Sequence, residues 1–143
     1  YQLHQLKLGN PSHLFDILRD VFTLFFFFAE DPNLSIIDIG CGSGYYFDVL
    51  QHFFPNIYKY SGCDSQSEII QTAKEHRPFI DFRKQDLTNM KYTDKEFDIS
   101  IFSHGTCNMI KYKKVFEEAC RVTKKYIILH RICVTKEKDS SKK

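Results

Sequence analysis

The groups in this chain best suited to chemistry are three carboxylates, a glycine-rich segment and one histidine. Gly40-Cys41-Gly42-Ser43-Gly44 places glycine at alternate positions, which lets the backbone turn sharply and lets a ligand approach the main chain. A helix starting behind such a loop offers free N–H groups and a positive dipole end, so the loop binds something anionic. Asp38, two residues ahead of Gly40, narrows the choice. Its charge would repel a pyrophosphate but suits a ligand that carries an ammonium or sulfonium beside its carboxylate. A dinucleotide fingerprint needs Gly-x-Gly-x-x-Gly, and here Tyr45 stands where the last glycine belongs, with Gly44 one residue early. The nicotinamide or flavin reading is disfavoured accordingly. No lysine ends the loop, so it is not a P-loop.

The elements that must position these groups follow from the pattern. Residues 36–39 have strand character and run into the glycines, and residues 45–54 read as a helix ended by Pro55-Asn56. A second strand over 58–63 delivers Asp64, about two dozen residues past the glycines, where a carboxylate reaches two vicinal ribose hydroxyls in a βαβ unit. Asp64 also precedes a helix over 67–76 and could cap it, unless Ser65 or Ser67 does so and leaves the acid free. After Pro78, a third strand over 79–83 leads to Gln85-Asp86-Leu87, and Asp86 alone would read as a turn residue. Its weight comes from being the third acid in register, each at the carboxyl end of a successive strand. A polar turn at 93–96 precedes a fourth strand over 97–102. A helix over 111–122, with Val115, Phe116, Ala119 and Val122 on one face, leads to a fifth strand over 126–131. This alternation specifies an α/β, doubly wound, mostly parallel sheet.

Asp38-x-Gly40-x-Gly42-x-Gly44 after a buried strand resembles the first motif of class I S-adenosylmethionine-dependent methyltransferases, of the type 11/25-like kind, and the resemblance covers residues 36–131. It implies a Rossmann-like core of strand order 3-2-1-4-5, lacking the family's last two strands. The implied cofactor is S-adenosyl-L-methionine, with S-adenosyl-L-homocysteine as product. Asp38, Gly40, Cys41, Gly42 and Gly44 then form the loop site, with Asp64 and Ser65 beside it. Asp86 would read the exocyclic amine of adenine, with Leu87 its neighbour. Ser103 and His104 follow the fourth strand, where the methyl group should point. His104 is the candidate catalytic base, since its ordinary pKa suits that work near neutrality, and it could equally be a wall of the site in an enzyme that works by alignment. Small-molecule members often carry a histidine a few residues later in this loop, where this chain has Asn108 and Met109.

The 143 residues suit one domain, and a formal charge of +2 is too small to imply nucleic acid. We expect residues 1–35 to be an N-terminal helical segment packing on the core, with its helix over 10–29 and a lid or frayed end over 1–9. Residues 36–135 form the cofactor-binding core and 136–143 a charged tail. Cysteines 41, 63, 107, 120 and 133 show no Cys-x-x-Cys pair and read as free thiols in a reducing, cytoplasmic compartment. His130 and Cys133 make a poor metal site, and no metal is expected. The apolar run 21–29 is too short to span a bilayer. No signal peptide is read, and the chain opens on Tyr1, as a domain cut from something longer would. The expected activity is methyl transfer to a small-molecule acceptor, and the alternative is a cofactor-binding scaffold or regulatory domain without turnover.

Overall fold

β1 (Ser35–Ile39) carries Ile36, Ile37 and Ile39, all at 0% exposure although they alternate between the two faces of the strand. A strand buried on both faces belongs at the centre of a parallel sheet covered by helices, and burying each isoleucine stabilises by roughly 1.5–3 kcal/mol. The computed structural model describes residues 19–20, 23, 33–55, 59–102 and 111–130. In it follow β2 (Lys59–Asp64), β3 (Asp81–Lys84), β4 (Phe97–Phe102) and β5 (Thr123–Leu129), joined in the order β3-β2-β1-β4-β5. Every pairing is parallel, as the alternation of elements requires.

Helices α1 (Tyr45–Phe53) and α2 (Ser67–His76) cover one face, where Val49, Leu50, Ile70 and Ala73 pack on Ile36, Tyr60, Phe82, Ile99 and Ile101. Helix α3 (Tyr112–Val122) covers the other, its Val115, Ala119 and Val122 against Ile37, Ile39, Cys63, Phe97 and Phe102. Phe116, placed on the same face by its spacing, lies at the rim and stays 44% exposed.

Strand ends depart from expectation more than helices do. β2 runs one residue further and includes Asp64. β3 starts at Asp81, because the chain is still turning after Pro78: Ile80 N–H donates to the Arg77 carbonyl at 3.1 Å, and Phe79 is left 98% exposed. β5 starts directly after α3 at Thr123, a β-branched residue whose hydroxyl donates to the Ala119 carbonyl at 2.5 Å and which pairs with Phe97. The polar run Thr123-Lys124-Lys125 hid that start. Of the helix expected over 10–29, only Arg19, Asp20 and Thr23 are described. Thr23 Oγ1 donates to the Arg19 carbonyl at 2.8 Å, and the Arg19 guanidinium lies 5.8 Å from the centroid of the Phe53 ring. Residues 1–9, 103–110 and 131–143 lie outside the description, and with them the expected lid, charged tail, Ser103 and His104.

One aromatic ring sets the spacing between the sheet and the glycine loop. Phe82 pairs with Gly62 across β2 and β3, and a Cβ on Gly62 would fall 2.6 Å from its Cδ1. A Cβ on Gly44 would fall 2.6 Å from its Cζ. Two missing side chains thus make the space that one fully buried ring fills. Gly62→Ala is expected to destabilise the domain by about 1–3 kcal/mol, the usual range for overpacking. Urea unfolding should show that penalty shrinking in a Phe82→Leu background.

Candidate functional site

The segment from β1 to α1 takes its shape from three left-handed residues, Gly40 at φ 75°, Gly42 at 54° and Gly44 at 83°. Side chains disfavour that region, so alternating glycines allow a turn that other sequences resist. Gly40 N–H and Cys41 N–H both donate to the Cys63 carbonyl, at 2.8 and 3.0 Å. Gly42 N–H donates to Asp64 Oδ2 at 3.1 Å. On the far side, the Arg77 guanidinium donates to the Ser43 carbonyl at 2.7 Å and forks onto the carboxylate of Asp48 in α1. Among the described residues nothing lies within 4 Å of where a Cβ on Gly42 would sit, so the loop is backed by protein and open over its middle glycine.

Asp38 lies beneath this loop with no exposure at all. Tyr60 Oη donates to its Oδ2 at 2.7 Å, while Oδ1 is buried without a hydrogen-bond partner among the described residues. Burial pushes the Asp38 carboxyl up to about 7; the Tyr60 bond opposes this, and the Asp64 charge adds to it. An orphaned acceptor of this kind fits a cationic ligand end and leaves a metal little to bind. Cys41 and Cys63 are buried free thiols that burial holds well above the ordinary cysteine range, so neither is a nucleophile.

Asp64 spends one oxygen on Gly42 N–H and the other on Gln66 N–H, the latter at 3.1 Å. The N-cap of α2 is Gln66, without a side-chain cap bond, so neither Ser65 nor Ser67 caps the helix as the sequence allowed. The bond from Asp64 to Gln66 N–H is an Asx turn ahead of the helix instead. Each carboxylate oxygen keeps lone-pair capacity for another donor. Asp86 is exposed, and the backbone N–H and hydroxyl of Thr88 both donate to its Oδ1, at 2.9 and 2.7 Å, which holds it below the usual carboxylate range. Leu87 is 4% exposed and belongs to the core beneath α3. Gln85 N–H donates to the Asp64 carbonyl at 2.9 Å, so the ends of β2 and β3 are tied side by side.

The structure therefore ties the glycine loop and Asp64 into one hydrogen-bonded unit, with Asp38 beneath it on Tyr60 and Asp86 two residues past the end of β3. Sequence reasoning missed Tyr60, Phe82 and Arg77. A signal existed for the first: Tyr60 pairs with Ile36 and Gly62 with Asp38, so strand alternation puts Tyr60 on the face of Asp38. His130, considered for a metal, lies with its Nδ1 2.5 Å from Tyr46 Oη. No group of three or more His, Cys, Asp or Glu among the described residues is placed to hold a metal, and none of their helices is long and apolar enough to cross a membrane.

A glycine-rich loop at the carboxyl end of a central parallel strand, with carboxylates closing the neighbouring strands, defines an α/β domain of the nucleotide-cofactor-binding class. A model of the methyltransferase domain matches residues 30–142, and the chain belongs to that family. It is 40% identical over 62 residues to a demethylmenaquinone methyltransferase of Paenarthrobacter aurescens, covering 43% of this chain and 24% of that protein. It is 32% identical over 101 residues to the ubiquinone/menaquinone biosynthesis C-methyltransferase UbiE of Campylobacter jejuni, covering 68% of this chain and 43% of that protein. The chain thus spans less than half the length of either relative. Among solved structures it superimposes on the trans-methyltransferase CalH in complex with SAH, with TM-score 0.60 and 18% identity over 74% of this chain and 33% of that one. That likeness establishes the fold.

Asp38 generates a prediction about stability. Its pKa is raised from the ordinary 3.8 to about 7 on folding, so the favourable contribution of its neutral form is complete below pH 4 and is lost as pH rises through 7. Asp38→Asn imitates the neutral form. At pH 8 the variant is expected to be more stable than the parent by roughly 1–3 kcal/mol in urea unfolding, and the gap should close as pH falls from 7 toward 4.

Proposed function

We propose that this domain binds S-adenosylmethionine over the glycine loop and serves methyl transfer to a small-molecule acceptor. The observation that carries this is the fully buried Oδ1 of Asp38, which has no partner among the described residues, beside a loop that those residues leave open at Gly42. A buried carboxylate oxygen without a donor is costly unless a ligand supplies one, and an amino-acid ammonium does so. When bound, the cofactor supplies an electrophilic methyl on its sulfonium, which a nucleophilic acceptor atom takes.

The residues divide the remaining work by chemistry. Asp38 meets the cationic amino group, and the start of α1 behind Gly44 favours the carboxylate. Asp64 accepts from the ribose hydroxyls with the lone pairs its two backbone bonds leave, and Ser65 borders it. Asp86 and Leu87 take the adenine. Gly40, Cys41 and Gly44 shape the loop. Ser103 and His104 border the acceptor, with His104 as its base. CalH is solved with SAH, and the two relatives are named for quinone methylation, which makes demethylated quinols the first acceptors to assay. The names of the relatives favour turnover over a scaffold role. The free Asp38 oxygen again disfavours NAD, whose pyrophosphate it would repel.

Calorimetry should detect S-adenosylhomocysteine binding and no NAD binding. Absence of the first overturns the proposal. Asp64→Ala should weaken that binding by roughly 1–3 kcal/mol, and a 2′-deoxy analogue should lose far less affinity in the variant than in the parent. For the chemistry, His104→Gln is expected to slow turnover on a true acceptor by roughly 10²–10⁴-fold with cofactor affinity nearly unchanged. A loss of only a few-fold would leave alignment as the mechanism and remove His104 from the catalytic role.

A further inference from the structure

We propose that Tyr60 is a positioning residue of the cofactor site: its hydroxyl, bonded to Asp38 Oδ2 at 2.7 Å, fixes this carboxylate so that the free Oδ1 can receive the cationic end of the ligand. The inference rests on the S-adenosylmethionine reading above and assigns part of that binding to a residue outside the loop motif. An ammonium needs an ionised partner, yet a carboxyl with no exposure favours its proton. Something must hold the charge in place.

Among the described residues, the groups facing Asp38 leave one candidate. From the end of β2, Asp64 adds a like charge that works with burial against ionisation. Cys41 in the loop and Cys63 in β2 are buried thiols held neutral. The strand on the other side presents Ile101, the register partner of Asp38, which is apolar. From the helical face, the Arg77 guanidinium acts on Tyr60 and is already engaged by Asp48 and the Ser43 carbonyl. Tyr60 is the donor that favours the ion. Its own phenol is pushed well above the ordinary tyrosine range by burial and by Asp38, so it keeps its proton at every pH of interest. The ring is fixed between Phe47, centroids 5.4 Å apart, and Phe82, at 6.4 Å, and Tyr60→Phe preserves that packing. With Asp38 balanced at about 7, loss of one charge-stabilising bond moves its titration across the neutral range.

The alternative is a core tyrosine that merely satisfies its hydroxyl, and pH separates the two. Calorimetry with S-adenosylhomocysteine from pH 5.5 to 9 should show parent binding that strengthens with pH and levels off above a midpoint near 7. In Tyr60→Phe the midpoint should move up by about one to two pH units, with binding about 5–50-fold weaker at pH 7 and within about twofold of the parent at pH 9. Asp38→Asn should bind weakly at all pH, and adding Tyr60→Phe to it should change nothing further. Carbon NMR of the side-chain carboxyls in the ligand-free protein should record the same upward shift for Asp38. A Tyr60→Phe loss equal at every pH, or an Asp38 titration that does not move, overturns the inference while leaving the cofactor reading intact. A parent that binds no S-adenosylhomocysteine at any pH overturns both.

Discussion

The carbonyl oxygen of Cys63 accepts from two successive N–H groups, Gly40 and Cys41, and the geometry of the site depends on that shared acceptor. It pins the chain leaving β1 onto the end of β2, which forces the backbone into the left-handed turn that only glycine enters freely at Gly40. The next residue after Cys63 is then Asp64, already within reach of Gly42 N–H. One carbonyl thus sets the loop and the second carboxylate in register. Neither needs a bound ligand to find its place, so the site is pre-organised, and a ligand meets less ordering cost on binding.

Pre-organisation is carried to the point of disadvantage at Asp38. Its apolar surroundings would hold an isoleucine more stably, as they do Ile36 two residues earlier on the same face. A carboxylate there has, among the described residues, one donor and one oxygen without a partner, and its ionisation opposes folding at neutral pH. Unsatisfied buried groups persist where function requires them, and this one stands next to the loop that defines the family.

The fold was legible because its signals are redundant. Strand runs ending in acids, helices with one apolar face and Pro or Gly between them all agree on a parallel sheet, and a slip at one boundary does not change the topology. Boundaries failed where local chemistry competed with pattern, as at Thr123, which ends α3 and begins β5, and at Phe79, apolar but outside the strand. In the site, the loop and its acids were legible as motif residues because they stand at fixed spacing in the chain. Tyr60, Phe82 and Arg77 were not, since each acts across the sheet or between elements, and their partners become neighbours only through strand register. Gly44 illustrates the difference. Read as a ligand-side glycine, it is also required on its other side by the ring of Phe82.

Distance in sequence matters again beneath Asp86. The stretch between β3 and β4 has no regular structure, and a loop of that length would leave the third carboxylate poorly placed unless something held it. Arg121 of α3 does so, donating to the Met90 carbonyl at 2.9 Å, the Tyr92 carbonyl at 2.8 Å and Asp94 at 2.8 Å. Glu118, one turn earlier, accepts from Met90 N–H at 2.7 Å and from Nε and Nη2 along one edge of the same guanidinium. Those bonds to Arg121 hold Glu118 below its ordinary range, so the pair stays charged and the clasp stays closed over the physiological range. The helix that covers the face opposite α1 and α2 therefore fixes the stretch that follows Asp86 on its way to β4. The two edges of the sheet are thus held separately: α1 frames the loop at the carboxyl edge, and Arg121 of α3 anchors the chain at the amino edge, two residues before Thr123, the partner of Phe97.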